Sequence, residues 1–228
     1  MSLIHLLNEF VDRKMKKEYI PGAHKPLSDE AYTFFKNNGE GLYNICVESK
    51  NNDFVAKIIS LVTGKYSHGF TLYYHENIFS KLMDEEWQRL RLKYYSYYGD
   101  SIDIDEKLKS IKVLCLASAD SNGMNYKDYS AYQNRTQVIM KPTLTEAQTN
   151  KVLHSYFTPE TMNAVYDYTG LAFWWLNKMF DDERAYYCSE LIYDKFSEVG
   201  IKVAQRKDPS PTEIVNYGIE HGTVIGKV

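Results

Sequence analysis

The stretch YYCSELIYDKF, Tyr186 to Phe196, decides how the chain is read. Two aromatic residues give way to a helical pattern: from Cys188, the residues Leu191, Ile192, Lys195, Phe196 and Val199 follow at offsets of three, four, seven, eight and eleven. That spacing places them on one face of an α-helix. The cysteine thus falls in the first turn, on the face turned into the protein, with Lys195 the one polar member of the stripe. Gly200 supplies the stop. At a helix amino terminus, unpaired N–H groups and the positive end of the dipole favour thiolate over thiol, so the spacing predicts a lowered pKa and a nucleophile. The competing reading is a plain core cysteine, because free Cys is among the most buried residue types.

A cysteine nucleophile needs a base that takes its proton and later protonates the leaving group, and histidine titrates in the right range. Of the six histidines, His5 and His154 lie on predicted helices, and His24 and His221 lie in loop-like segments. His68 opens the strand-like run in GKYSHGFTLYY, Gly64 to Tyr74, and His75 follows it. Seven residues of separation put these two on opposite faces of a strand. His68 is therefore the candidate base, at a strand entrance between Ser67 and Gly69. Cys46 in YNICVE and Cys115 in VLCLAS sit inside apolar strand-like runs and read as small buried hydrophobes.

The wider composition narrows the function classes. At 228 residues the chain is long enough for one domain with a proper core, and a net charge of -3 shows no bias toward nucleic acid. The segment MSLIHLLNEFVDRKMKK is amphipathic but lacks the apolar core and cleavage site of a secretory signal. The most apolar run, GLAFWWLNKMF, falls short of the roughly 20 residues of a membrane span. Three cysteines cannot all pair, which reads as reduced thiols in the cytoplasm. No His/Cys/Asp spacing fits a metal ligand set and there is no Gly-rich phosphate loop, so neither metal nor cofactor is expected. The 20 tyrosines cluster in KYYSYYGD, VYDYTG and AYYCSE, most of them suited to half-buried packing.

Along the chain the expectation is a helical amino-terminal extension over residues 1–40, with helices at Leu3 to Lys17 and from the Ser28 cap to Gly39. A buried strand GLYNICVES and a helix bearing Phe54, Val55, Ile58, Ile59 and Val62 follow, the latter ending at Gly64. After the His68 strand, residues 77–110 read as an insertion, helical at its start. IKVLCLAS and RTQVIMKP read as strands separated by a polar loop, ADSNGMNYKDYSAYQN. TEAQ (Thr145 to Gln148) and SPTE (Ser210 to Glu213) are capping boxes, and Thr158-Pro159 opens a further helix. Helices around Leu171 to Met179 and Cys188 to Val199, then a strand GTVIGKV, complete one α+β domain, residues 1–228.

The ordered combination YSHG (Tyr66 to Gly69), YDYTGL (Tyr166 to Leu171), YCSEL (Tyr187 to Leu191) and DPSPTEI (Asp208 to Ile214) resembles the circularly permuted NlpC-type papain-like cysteine hydrolases. The YiiX-like branch is most similar, with lecithin retinol acyltransferase a more distant relative. The resemblance spans roughly Gly41 to Ile214 without the insertion. It implies a small antiparallel sheet packed on helices, Cys188 at a helix start facing His68 on the sheet, and thiolate attack on an amide or ester through an acyl-enzyme. Relatives carry a third polar residue, often an acid, on the strand after the histidine strand. Here Ser118 stands at that place, and Asp120 is the alternative, two residues along on the same face of a regular strand. Tyr166, Tyr187 and Ser67 are expected at the substrate or oxyanion site, where the Cys188 N–H is the safer donor. Glu190 reads as a first-turn charge complementing the helix dipole. Three functions are consistent with this: an amidase or peptidase acting on a peptide-like or cell-wall-derived substrate, a lipid thioesterase or acyltransferase, and a weakly active or inactive binding module.

Overall fold

In the computed structural model the described residues are 26–48, 65–120, 123–166, 185–186 and 188–227. The helices expected at residues 3–17, 52–63 and 171–179 lie outside them. In chain order, α1 (Asp29–Asn38) leads to β1 (Gly41–Glu48) and β2 (Tyr66–Tyr74). Helices α2 (Asp84–Tyr98) and α3 (Ile104–Ser110) precede β3 (Val113–Asp120) and β4 (Gly123–Asp128). Then come β5 (Gln137–Met140), α4 (Glu146–Ser155), α5 (Pro159–Met162), β6 (Val165–Tyr166) and β7 (Ala185–Tyr186). The last elements are α6 (Cys188–Ser197), α7 (Pro211–Glu220) and β8 (Val224–Lys227).

Local chemistry sets the helix limits. Ser28 Oγ accepts the Ala31 N–H at 3.2 Å to open α1, and Gly39, at φ 79°, closes it in a region that glycine enters at little cost. Thr145 with Gln148 and Ser210 with Glu213 form reciprocal capping boxes at the starts of α4 and α7. Pro159 and Pro211 occupy first-turn positions where a missing N–H costs no helical bond.

The strands pair antiparallel in the order β4-β3-β2-β1-β5-β8, giving an α+β architecture with one six-stranded sheet. β6 and β7 make a separate two-residue parallel pair. On one face of the large sheet, Leu42, Cys46, Leu114 and Leu116 pack with Leu153 of α4, Leu191, Ile192 and Phe196 of α6, and Ile214 of α7. On the other, Phe35 of α1 meets the rings of Tyr43, Tyr74 and Tyr129 at centroid separations of 5.1, 6.0 and 5.2 Å. Fully buried side chains of this size contribute about 1.5–3 kcal/mol each, so both faces are sealed by apolar burial.

One expectation is corrected. Residues 119–134, read as a polar loop, contain β4, which pairs with β3 as a hairpin. Met124 and Tyr126 are buried, while the polar residues between and after them disguised the strand. The insertion also proves to be two helices rather than one helical start. Tyr94 and Tyr98 of α2 are buried in the same cluster as Ile104 and Leu108 of α3 and Tyr126 of β4. Among the described residues no helix is long and apolar enough to cross a membrane.

Candidate active site

The backbone pairing of β2 with β3 runs from Tyr74–Val113 to Thr71–Leu116. Beyond that point a side-chain bond joins the strands: His68 Nε2 lies 2.9 Å from Ser118 Oγ. What aims Ser118 is a bulge. Between the pairs Cys115–Lys127 and Ser118–Asn125, β3 spends two residues, Leu116 and Ala117, where β4 spends one, Tyr126. Ala117 carries the distortion at φ 42°, a left-handed conformation uncommon for a residue with a Cβ. The extra residue offsets the alternation, so Ser118 falls on the side of Val113 and Cys115, not of Leu114 and Leu116. Aromatic rings wall the pair: Phe70 and Tyr132 lie 5.6 and 6.2 Å from the imidazole, and 4.4 Å from each other. Tyr132 Oη is 3.2 Å from Ser118 Oγ, and Ser118 is wholly buried.

Cys188 is the first residue of α6, and only 4% of its surface is exposed. Its helix packs on β2 and β3. On β2, Gly69, next to His68, lies against this helix: a Cβ there would sit 3.2 Å from Ile192 Cδ1 and 3.6 Å from Cys46 Sγ. The missing side chain lets α6 come down onto β2. The backbone N–H groups of Gly69 and Ser189 face the Cys188 sulfur and act to lower its pKa. Imidazole and sulfur thus flank one short piece of β2 backbone, the ring leaning toward Phe70 and the sulfur arriving from the α6 side.

The electrostatics correct the expected pKa. Burial pushes the Cys188 thiol from its ordinary 9.0 up to about 11, and the backbone donors of Gly69 and Ser189 oppose this only in part. Desolvation therefore outweighs the helix terminus, and the resting thiol is protonated at neutral pH. Cys46 and Cys115 are raised further by complete burial, in keeping with two core thiols.

Helix α7 holds the site from a third side. Ser189 Oγ donates to Pro209 O at 2.5 Å, tying the first turn of α6 to the residue before the Ser210 cap. The Tyr66 N–H donates to Thr212 Oγ1 at 3.3 Å, tying the entrance of β2 to the same helix. The SPTE box thus anchors both the histidine strand and the cysteine helix. Sequence reasoning missed this double role because it depends on contacts 20 and 146 residues apart.

The remaining candidates divide. Ser67 is buried beside His68. Asp120 ends β3 opposite Gly123, two residues past Ser118, and its side chain lies outside the described set, as does that of Tyr166. The backbone of Tyr166 pairs with that of Tyr186, two residues before Cys188. Tyr187 lies outside the described residues. Glu190 is in the first turn of α6, as expected, and is buried, 5% exposed. Tyr132 is the site neighbour that the sequence did not announce.

His154 pairs with Glu86 at 2.9 Å, and His75 with Glu40 at 3.3 Å. Both histidines face acids. Among the described residues no group of three or more His, Cys, Asp or Glu side chains is arranged to hold a metal ion. Neither a scan against protein-family models nor a comparison with curated proteins finds a match.

Proposed function

We propose that the chain is a cysteine hydrolase of permuted papain-like architecture, cleaving an amide in a peptide-like or cell-wall-derived substrate. The observation that carries this reading is that residues far apart in sequence come to one short piece of β2. His68 is bonded to Ser118 at 2.9 Å, and the backbone N–H of the residue after it, Gly69, faces the sulfur of Cys188 and acts to lower its pKa. In this assignment Nε2 faces Ser118 and Nδ1 exchanges the proton with the thiol. His68 removes that proton as the sulfur attacks the carbonyl carbon, then delivers it to the leaving amine, and water releases the acyl group by the reverse sequence. The Cys188 N–H, at the start of α6, is the donor for the oxyanion. Ser118 replaces the usual acid with a neutral hydroxyl, which orients the ring but supplies no charge for the imidazolium. This favours proton transfer during attack over a standing thiolate–imidazolium pair, in line with a thiol raised to about 11.

That raised thiol also favours a second reading, a catalytically weak or inactive binding module on the same scaffold. Assaying amino-acid amides and p-nitrophenyl esters of increasing chain length separates the possibilities. Amide turnover that disappears in Cys188→Ala supports the hydrolase. A preference for long-chain esters moves the substrate class to lipids, and no turnover of either series sinks the catalytic reading. Alkylation by iodoacetamide gives an independent check: His68→Ala should slow Cys188 labelling at pH 7 at least tenfold if the imidazole acts as its base. Equal rates, following a thiol that ionises near pH 11, favour the module.

A further inference from the structure

We propose that Tyr132 is a positioning residue that decides which nitrogen of His68 carries the proton. The argument is a count of hydrogens around Ser118. Its side chain is fully buried, and among the described residues its hydroxyl meets two groups, His68 Nε2 at 2.9 Å and Tyr132 Oη at 3.2 Å. A hydroxyl has one hydrogen to donate, and a buried donor left without an acceptor is costly. Two arrangements satisfy it. In one, the Ser118 proton goes to Tyr132 Oη and the Ser118 oxygen accepts the Nε2–H of His68, so that Nδ1 is the nitrogen without a hydrogen in the neutral ring. In the other, Ser118 donates to a bare Nε2, and the proton of the neutral ring sits on Nδ1.

A carboxylate in place of Ser118 would only accept, and would fix the first arrangement by itself. A serine needs somewhere else to send its hydrogen, and Tyr132 Oη is that place. Its ring is held at 4.4 Å from Phe70 and in place by burial, so the acceptor stays on station. Removing the hydroxyl leaves Nε2 as the one described acceptor for the Ser118 proton, and the ring is driven to the Nδ1–H form.

The site reading above concerns activity; this inference rests on it only for its kinetic arm. The test is a long-range ¹H–¹⁵N correlation of the imidazole in uniformly ¹⁵N-labelled protein, with the His68 resonances assigned by His68→Gln. The neutral ring of the wild type should be mainly Nε2–H, and Tyr132→Phe, which keeps the stacking on Phe70, should convert it to mainly Nδ1–H. In a Ser118→Ala background the Tyr132→Phe change should have no further effect on the tautomer, because the relay atom is gone. Near-ultraviolet circular dichroism confirms that the variants keep the native packing. If amide hydrolysis is present, kcat should fall on the order of ten- to a hundredfold in Tyr132→Phe with KM unchanged, the direction set by the wrong-tautomer cost known in Ser-His-Asp triads. The same tautomer in wild type and Tyr132→Phe overturns the proposal, as does an equal shift in the Ser118→Ala background. A converted tautomer in a protein without hydrolysis upholds the positioning role and overturns the hydrolase reading instead.

Discussion

Two of the described histidines, each with a polar partner, are opposites. His154, on α4, sits against Glu86 of α2, a carboxylate 1% exposed that also accepts the Met83 N–H. It helps dock the insertion, together with Arg89 and Lys93, which donate to the carbonyls of Phe157 and Met162. His68 has a neutral serine, sits on a strand bordered by a bulged neighbour, and lies one residue from the amide that touches Cys188. Judged by partner chemistry alone, the histidine with the acid would be taken for the catalytic one. Position reverses the choice: His154–Glu86 joins two helices, and His68–Ser118 borders a nucleophile.

The sharpest way to break that contrast is kinetic. His68→Ala should lower kcat/KM by about 10²–10⁴-fold, the usual contribution of a general base, whereas His154→Ala should stay within about twofold. Equal losses in the two variants, measured on the same amide substrate, would dissolve the distinction. Stability should show the reverse order. His154→Ala leaves the buried Glu86 charge without its partner and should cost about 3–5 kcal/mol in urea unfolding, while His68→Ala should cost less.

A smaller effect separates the regions by pH. The folded Cys188 thiol has a pKa raised above its ordinary 9.0, so the folded state holds this proton more tightly than the unfolded chain. Its contribution is whole below about pH 9 and drains as pH rises to about 11, with a ceiling of about 3 kcal/mol. The unfolding free energy of wild type should therefore fall faster than that of Cys188→Ala across this window. Parallel curves would mean the thiol is not desolvated. The smallest expected effect lies at the bulge: Ala117→Val, a β-branched residue at φ 42°, should cost about 1–2 kcal/mol and weaken hydrolysis by displacing Ser118. No change in either would show that β3 does not need this conformation.

What the sequence announced and what it withheld follow from the range of the interactions. Ser28, Thr145, Thr158 and Ser210 were legible as caps because a cap bonds a backbone group three residues away. The helix of Cys188 was legible from its apolar period, and Lys195 does lie in the buried stripe, 3.3 Å from Glu198. The meeting of His68 with Ser118 was approached only through the resemblance. No residue type marks a bulge, since it is a property of two strands counted against each other. Tyr132 was missed for the same reason, its hydroxyl reaching back 14 residues to Ser118. The Cys188 pKa was misjudged because the helix terminus is visible in sequence, whereas the depth of the surrounding core is not.

The bulge has a consequence for how related chains would be compared. A substitution at Ser118 is visible in any alignment, yet a chain that kept this serine and gained one residue on β4 between Asn125 and Lys127, so that the strands paired residue for residue, would look almost unchanged. Its hydroxyl would rotate to the Leu116 side of the sheet, and the imidazole would lose its partner without any mutation of either group. The heritable character here is a length, two residues on one strand against one on the next. A gap in that column would say more about whether the site survives than the identity of the residue beside it.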